Sequence, residues 1–117
     1  MMMYNKIEIM GTVGNVRIST FEDRRSANFS VVTNYLYKNR DGNAAVETLW
    51  LNVTAWEGKA VSGEVMDNLD RGCDVHVTGR LREREYTGAD GSSRTVMEVV
   101  ANLVELVTGN IQVETVK

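Results

Sequence analysis

One cysteine and one histidine leave this chain little from which to build a metal site or a disulfide. Zinc sites draw most of their ligands from Cys and His, so a site of that kind is excluded. Cys73 has no partner within the chain, which fits a reducing compartment. It reads as a small, partly buried residue rather than a nucleophile. Proline is absent, so no proline-rich linker interrupts the sequence and no strand edge is blocked by a missing N–H. No apolar run approaches the roughly 20 residues that span a bilayer. The opening MMMYNKIE lacks the apolar stretch of an export signal. The expected location is therefore the cytoplasm, with no membrane partner.

Catalytic motifs are missing too. There is no phosphate loop, no dinucleotide fingerprint and no nucleophile elbow. Gly11 to Gly14 is too short to cradle a phosphate and suits a bend in a barrel strand better. The expectation is a protein that binds rather than catalyses, with no cofactor. The net charge of −3 argues mildly against a nucleic-acid partner. Binding depends on where charge sits, however, not on its sum.

Residues 48–56 (TLWLNVTAW) carry the strongest signal. Side chains of a strand alternate between faces. Leu49, Leu51, Val53 and Ala55 form one apolar set, expected in the core. Trp50, Asn52, Thr54 and Trp56 form the other. Both tryptophans of the chain thus share a polar face, where large rings suit the stacking of something flat. Residues 74–86 (DVHVTGRLREREY) repeat the pattern with charge. Val75, Val77, Gly79 and Leu81 face inward, while His76, Thr78, Arg80, Arg82, Arg84 and Tyr86 face out. Arginines beside exposed rings are what single-stranded nucleic acid requires, cations for phosphates and rings for bases. Each pattern has a plainer reading. Rings on a strand can be covered by another element or subunit, and alternating Arg and Glu also suits a solvated hairpin with cross-strand ion pairs. Together, in neighbouring strands of one small domain, they favour binding.

The remaining segments order themselves around these two. Residues 6–18 alternate as a strand, residues 27–37 are rich in β-branched and aromatic residues and read as a second, and Asp41-Gly42 marks a hairpin before the Trp strand. Residues 20–25 read as a polar connection. Val61, Val65 and Leu69 recur at helical spacing, which predicts a helix over residues 57–69 ended by Arg71-Gly72. Residues 87–94 form a Gly/Ser/Asp tip and residues 95–107 a last strand. Core-type alternation on the Arg strand stops at Leu81, so its hairpin should project beyond the barrel. Three strands, a helix and two strands make an all-β, five-stranded OB-fold, a Greek-key barrel, over residues 1–107. Residues 108–117 remain as a short tail or an extra strand.

Across about residues 5 to 107 the chain resembles the bacterial-type single-stranded DNA-binding proteins. The resemblance rests on Asn5-Lys6-Ile7 with Gly11 and Gly14, on Ala27-Asn28-Phe29-Ser30-Val31, and on Glu47 to Val53 followed by Trp56-Glu57-Gly58-Lys59-Ala60. Leu69 to Gly72, Val77 to Arg82, and Arg94 with Glu98 to Ala101 complete the ordered set. It implies a homotetramer, with a homodimer as the fallback, that binds single-stranded DNA in replication, recombination and repair near the nucleoid. It places base stacking on Tyr37, Trp50, Trp56 and Tyr86. Arg94, just across a turn from Arg80, Arg82 and Arg84, and Lys38 are further candidate contacts for the nucleic acid. Tyr37 comes from the resemblance alone, since its strand parity matches Phe29 and Val31. Subunit pairing in the family uses the first strand and the residue after Trp50, here Leu51. The family's acidic, Phe-ending tip has no counterpart before Lys117, so recruitment of repair proteins is not expected of these residues. Two other readings stay open: an RNA-binding or primosomal OB-fold accessory, and an OB-fold used only for protein assembly.

Overall fold

A computed structural model describes residues 1–107. Residues 108–117, expected to be a tail or an extra strand, lie outside the described residues. The elements are β1 (Ile7–Phe21), β2 (Arg24–Lys38), β3 (Ala44–Trp56), α1 (Gly63–Asn68), β4 (Asp74–Thr87) and β5 (Ser93–Val107). The strands close into a barrel in the order β1-β2-β3-β5-β4. All pairings are antiparallel except that of β3 with β5, which runs from Asn52↔Glu98 to Thr54↔Val100. This is the OB-fold arrangement the element order implied. No helix among the described residues is long and apolar enough to cross a membrane.

The core follows from strand parity. Ile9, Val13, Ala27, Phe29, Val31, Val53, Ala55, Val75, Val77, Val99 and Val104 are buried inside the barrel, and Val61, Met66 and Leu69 are buried with them. β-branched valine dominates, as suits the pleated inner surface of a small barrel. Leu49 departs from the expectation. It has the parity of Val53 yet is 51% exposed. β1 pairs with β2 only as far as Thr12↔Val32, so the β2–β3 hairpin runs past the end of the barrel and Leu49 has nothing beneath it. The β4–β5 hairpin projects as expected, because β1 leaves β4 at Gly79 and residues 83–87 stand exposed.

The helix is shorter than its apolar spacing suggests. Glu57 belongs to the end of the sheet: its N–H donates to the Arg25 carbonyl at 2.9 Å, and its carboxylate pairs with the Arg25 guanidinium at 2.8 Å. Gly58 N–H then donates to the Val61 carbonyl, a turn rather than a helical bond. The helix starts only where the Ser62 hydroxyl accepts from Val65 N–H, an N-cap contact of 3.2 Å. Arg25 also reaches Asp67 on α1 at 2.6 Å, fastening the helix to β2.

A register shift between Thr78 and Gly79 bends β4 against β5. A side chain at Gly79 would place its Cβ 2.2 Å from the Val100 carbonyl oxygen, an impossible contact with backbone. Gly79→Ala is expected to lower unfolding free energy by about 1–3 kcal/mol, the range for overpacking. Urea denaturation checks it through a lower midpoint at unchanged slope.

Candidate nucleic-acid interface

Strand register joins the two sequence patterns into one outer face. Arg82 pairs with Glu98, Glu98 with Asn52 and Asn52 with Ser30. One row further, Arg80, Val100, Thr54, Asn28 and Arg17 follow each other across β4, β5, β3, β2 and β1. Residues paired across strands point to the same side. Trp50 and Trp56 flank these rows on β3. A cleft of about 440 Å³ lies in the middle, lined by Asn15, Arg17, Asn28, Ser30, Asn52, Arg84 and Glu98 among others.

Both tryptophans are open to solvent, Trp50 at 58% and Trp56 at 41%. Trp50 lies across Gly14: a Cβ there would sit 2.7 Å from Cζ3 of the indole. The glycine on β1 thus makes room for the ring to lie down on the sheet. Arg24 lies over Trp56, its Cζ 5.3 Å from the ring centroid, and its Nε donates to the Glu57 carbonyl at 2.8 Å. Cation and backbone anchor together hold that indole in place.

The three arginines of β4 divide into different roles. Glu98 is 2% exposed, a carboxylate sunk into the face. Arg82 Nε donates to its Oε1 at 3.0 Å, with a second contact from the same guanidinium, and Arg84 Nε lies 3.4 Å from that oxygen. The Thr54 hydroxyl stands between Glu98 Oε2 at 3.2 Å and Asn28 Oδ1 at 2.9 Å. Burial pushes the Glu98 carboxyl up, but the Arg82 hydrogen bond and charge, aided by Thr54 and Arg84, hold it below its ordinary value. The cluster of Arg82, Arg84 and Glu98 therefore presents one net positive charge where the sequence pattern suggests two. Arg80 has no ion-pair partner among the described residues and shares a recess with Lys6.

The other expected residues are placed unevenly. Tyr86 faces the same side as Arg82 and Arg84 and pairs across the hairpin tip with Arg94. Arg94 is 3.4 Å from Asp90, an exposed pair of small energetic weight. Lys38 has the parity of Val32 and so the face of Trp50. Tyr37 has the opposite parity: the structure sets it on the other face of the β2–β3 hairpin, its ring 6.3 Å from Tyr35 at 20° between planes. Arg17 and Arg24 have no assigned role in the sequence reading, and Glu98 enters it only within the resemblance. Arg17 alone had a visible signal, a cation between Val16 and Ile18 in an alternating strand.

Further around the barrel, His76 sits between two carboxylates. Nε2 is 2.7 Å from Glu8 Oε2 and Nδ1 is 3.0 Å from Glu105 Oε1. Only the imidazolium can donate from both nitrogens. The hydrogen bonds to Glu105 and Glu8 outweigh burial and raise the His76 pKa. A raised folded pKa means stability that is complete below the unfolded value of about 6.5 and lost as pH rises through the folded one. The melting temperature should therefore fall on going from mildly acidic to alkaline pH, and His76→Gln should flatten that slope. Calorimetry across the pH range measures both. Among the described residues no group of three or more His, Cys, Asp and Glu side chains is placed to hold a metal ion.

Comparison with known proteins points the same way. Residues 4–112 match the single-strand binding protein family. A single-stranded DNA-binding protein of Neisseria meningitidis is 32% identical over 111 residues, covering 92% of this chain and 62% of the relative. One from Xanthomonas axonopodis pv. citri is 33% identical over 108 residues, covering 90% and 58%. The chain thus spans about three fifths of the length of these relatives. Among solved structures, the Plasmodium falciparum SSB complex with ssDNA superposes with a TM-score of 0.74 at 24% identity, covering 92% of this chain and 96% of that one. At that identity the likeness speaks for the fold. The family match over nearly the whole chain places this protein in the single-strand binding protein family.

Proposed function

We propose that the chain binds single-stranded DNA with little sequence preference and shields it during replication, recombination and repair, in the cytoplasm near the nucleoid. One observation carries the reading: two half-exposed tryptophans share a continuous barrel face with Arg17, Arg80, Arg82 and Arg84. Stacking needs no particular base, since every base has a π-face, and phosphate contacts carry no sequence information. Tyr86 and Arg94 on the projecting hairpin extend the path, with Lys38 beyond Trp50. Tyr37 joins only if the strand passes to the other side of the β2–β3 hairpin.

Assembly into a homotetramer, or a homodimer, belongs to the same reading. The start of β1 pairs with β4 from Ile7 to Thr12, while its pairing with β2 begins only at Thr12. Residues 7–10 thus keep one edge open to a second copy. The test compares oligo-dT, the matching RNA and a duplex at one salt concentration, with the mass in solution measured by light scattering. The reading expects oligo-dT bound far above the duplex and a mass of four or two chains. RNA preferred over DNA would favour the RNA-binding or primosomal alternative. No binding to any of the three would leave the assembly role.

A further inference from the structure

The outer face does not end at Trp56. Trp56 pairs with Ser26 on β2, and two residues before Ser26 stands Arg24, which pairs with Phe21 on β1. Parity therefore sets Phe21, Arg24 and Trp56 on one side. What the sequence reads as a polar connection is the tight end of the β1–β2 hairpin, closed by Glu22 and Asp23 alone. Phe21 is 67% exposed there and lies outside the buried core. Phe21 and Trp56 bound a recess of about 310 Å³, whose other walls are Glu22, Asp23 and Arg24. Arg24 already covers part of the Trp56 ring, which leaves the recess as the open approach to that indole.

We propose that this recess is a nucleobase site, with Phe21 as an additional stacking ring, and that it favours a base carrying an exocyclic amine. The proposal rests on the single-strand-binding reading and refines it. The rings supply the stack. Glu22 and Asp23 supply the preference: carboxylates accept from the N4 amine of cytosine or the N6 amine of adenine, but meet an acceptor in the O4 of thymine. Two acids against the one cation Arg24 leave the recess net negative, which favours a base over a phosphate here. Glu22 has φ 58°, in the left-handed region that favours glycine. Glycine would relax that turn and would remove one of the two carboxylates.

The experiment measures anisotropy titrations of wild type, Phe21→Ala, the double variant Glu22→Gly with Asp23→Ala, and Trp50→Ala, using oligo-dC and oligo-dT of one length. Melting temperatures confirm that each variant is folded. Phe21→Ala is expected to weaken oligo-dC about tenfold, the size of one lost base–aromatic stack, and oligo-dT distinctly less. The double variant should shift the dC-to-dT affinity ratio toward dT. The site is overturned if Phe21→Ala leaves both oligomers unchanged or weakens them alike, or if the double variant keeps the wild-type ratio. Loss on Trp50→Ala beside a silent Phe21→Ala would refute this site and leave the general reading standing. Failure of the wild type to bind either oligomer would overturn both.

Discussion

Trp50→Ala and Trp56→Ala should each weaken binding to oligo-dT by about 1–3 kcal/mol, the range for a lost base–aromatic stack. The fold should survive both. Trp50 is 58% exposed and rests on Gly14 at the surface, so its loss opens no cavity. Trp56 gives up the Arg24 contact, and an exposed cation–π pair is worth about 0.5–1 kcal/mol. Equilibrium titration and thermal melting on the same samples separate the two effects. Weak binding by a variant that melts like wild type is the expected result. A variant that loses its fold would show that the ring was a core residue.

Arg82→Ala should act in the opposite way, on the fold before the ligand. It removes the main partner of Glu98 and leaves a carboxylate that is 2% exposed. Arg82 itself is 40% exposed and Arg84 remains 3.4 Å from the carboxylate, so the cost is that of an under-satisfied buried acceptor, about 1–3 kcal/mol. The pH dependence gives a second signature. In the wild type the Glu98 carboxyl is held below its ordinary value. Its contribution is therefore present above the unfolded pKa of about 4.3 and lost as pH falls through the lower folded one. Without Arg82, burial dominates and the folded pKa rises. The variant should then gain more stability on mild acidification than the wild type, whose gain comes from His76 alone. Arg82→Met combined with Glu98→Leu should recover most of the loss, because no charge is left buried. Denaturant titrations at neutral and mildly acid pH decide the matter.

Which residues share a face was legible in the sequence wherever strand period alone decides it. Trp50 with Trp56, and Arg80 with Arg82 and Arg84, follow from alternation, and the barrel keeps them so. How far the barrel extends was not legible. Parity assigns Leu49 a face but cannot tell that no strand lies beneath it. The pairing of Arg82 with Glu98 was hidden for a related reason. The partners are 16 residues apart on different strands, and their alignment depends on the β4–β5 register. Val61, Val65 and Leu69 suit a turn followed by a short helix as well as they suit a helix from Glu57. A hydroxyl cap at Ser62, not the apolar spacing, sets the start. Charged neighbours make the turn after Phe21 read as a polar connection, which hides that ring.

The proposed path of single-stranded nucleic acid crosses the face carrying Trp50 and Trp56. Two single-tryptophan variants, Trp50→Phe and Trp56→Phe, test it most directly by emission spectra during titration with oligo-dT. Each remaining indole should emit as a solvent-exposed ring in the free protein and be quenched to saturation by the oligomer. Blue-shifted emission that ignores the oligomer in both variants would contradict the account and bury the tryptophans in an assembly contact.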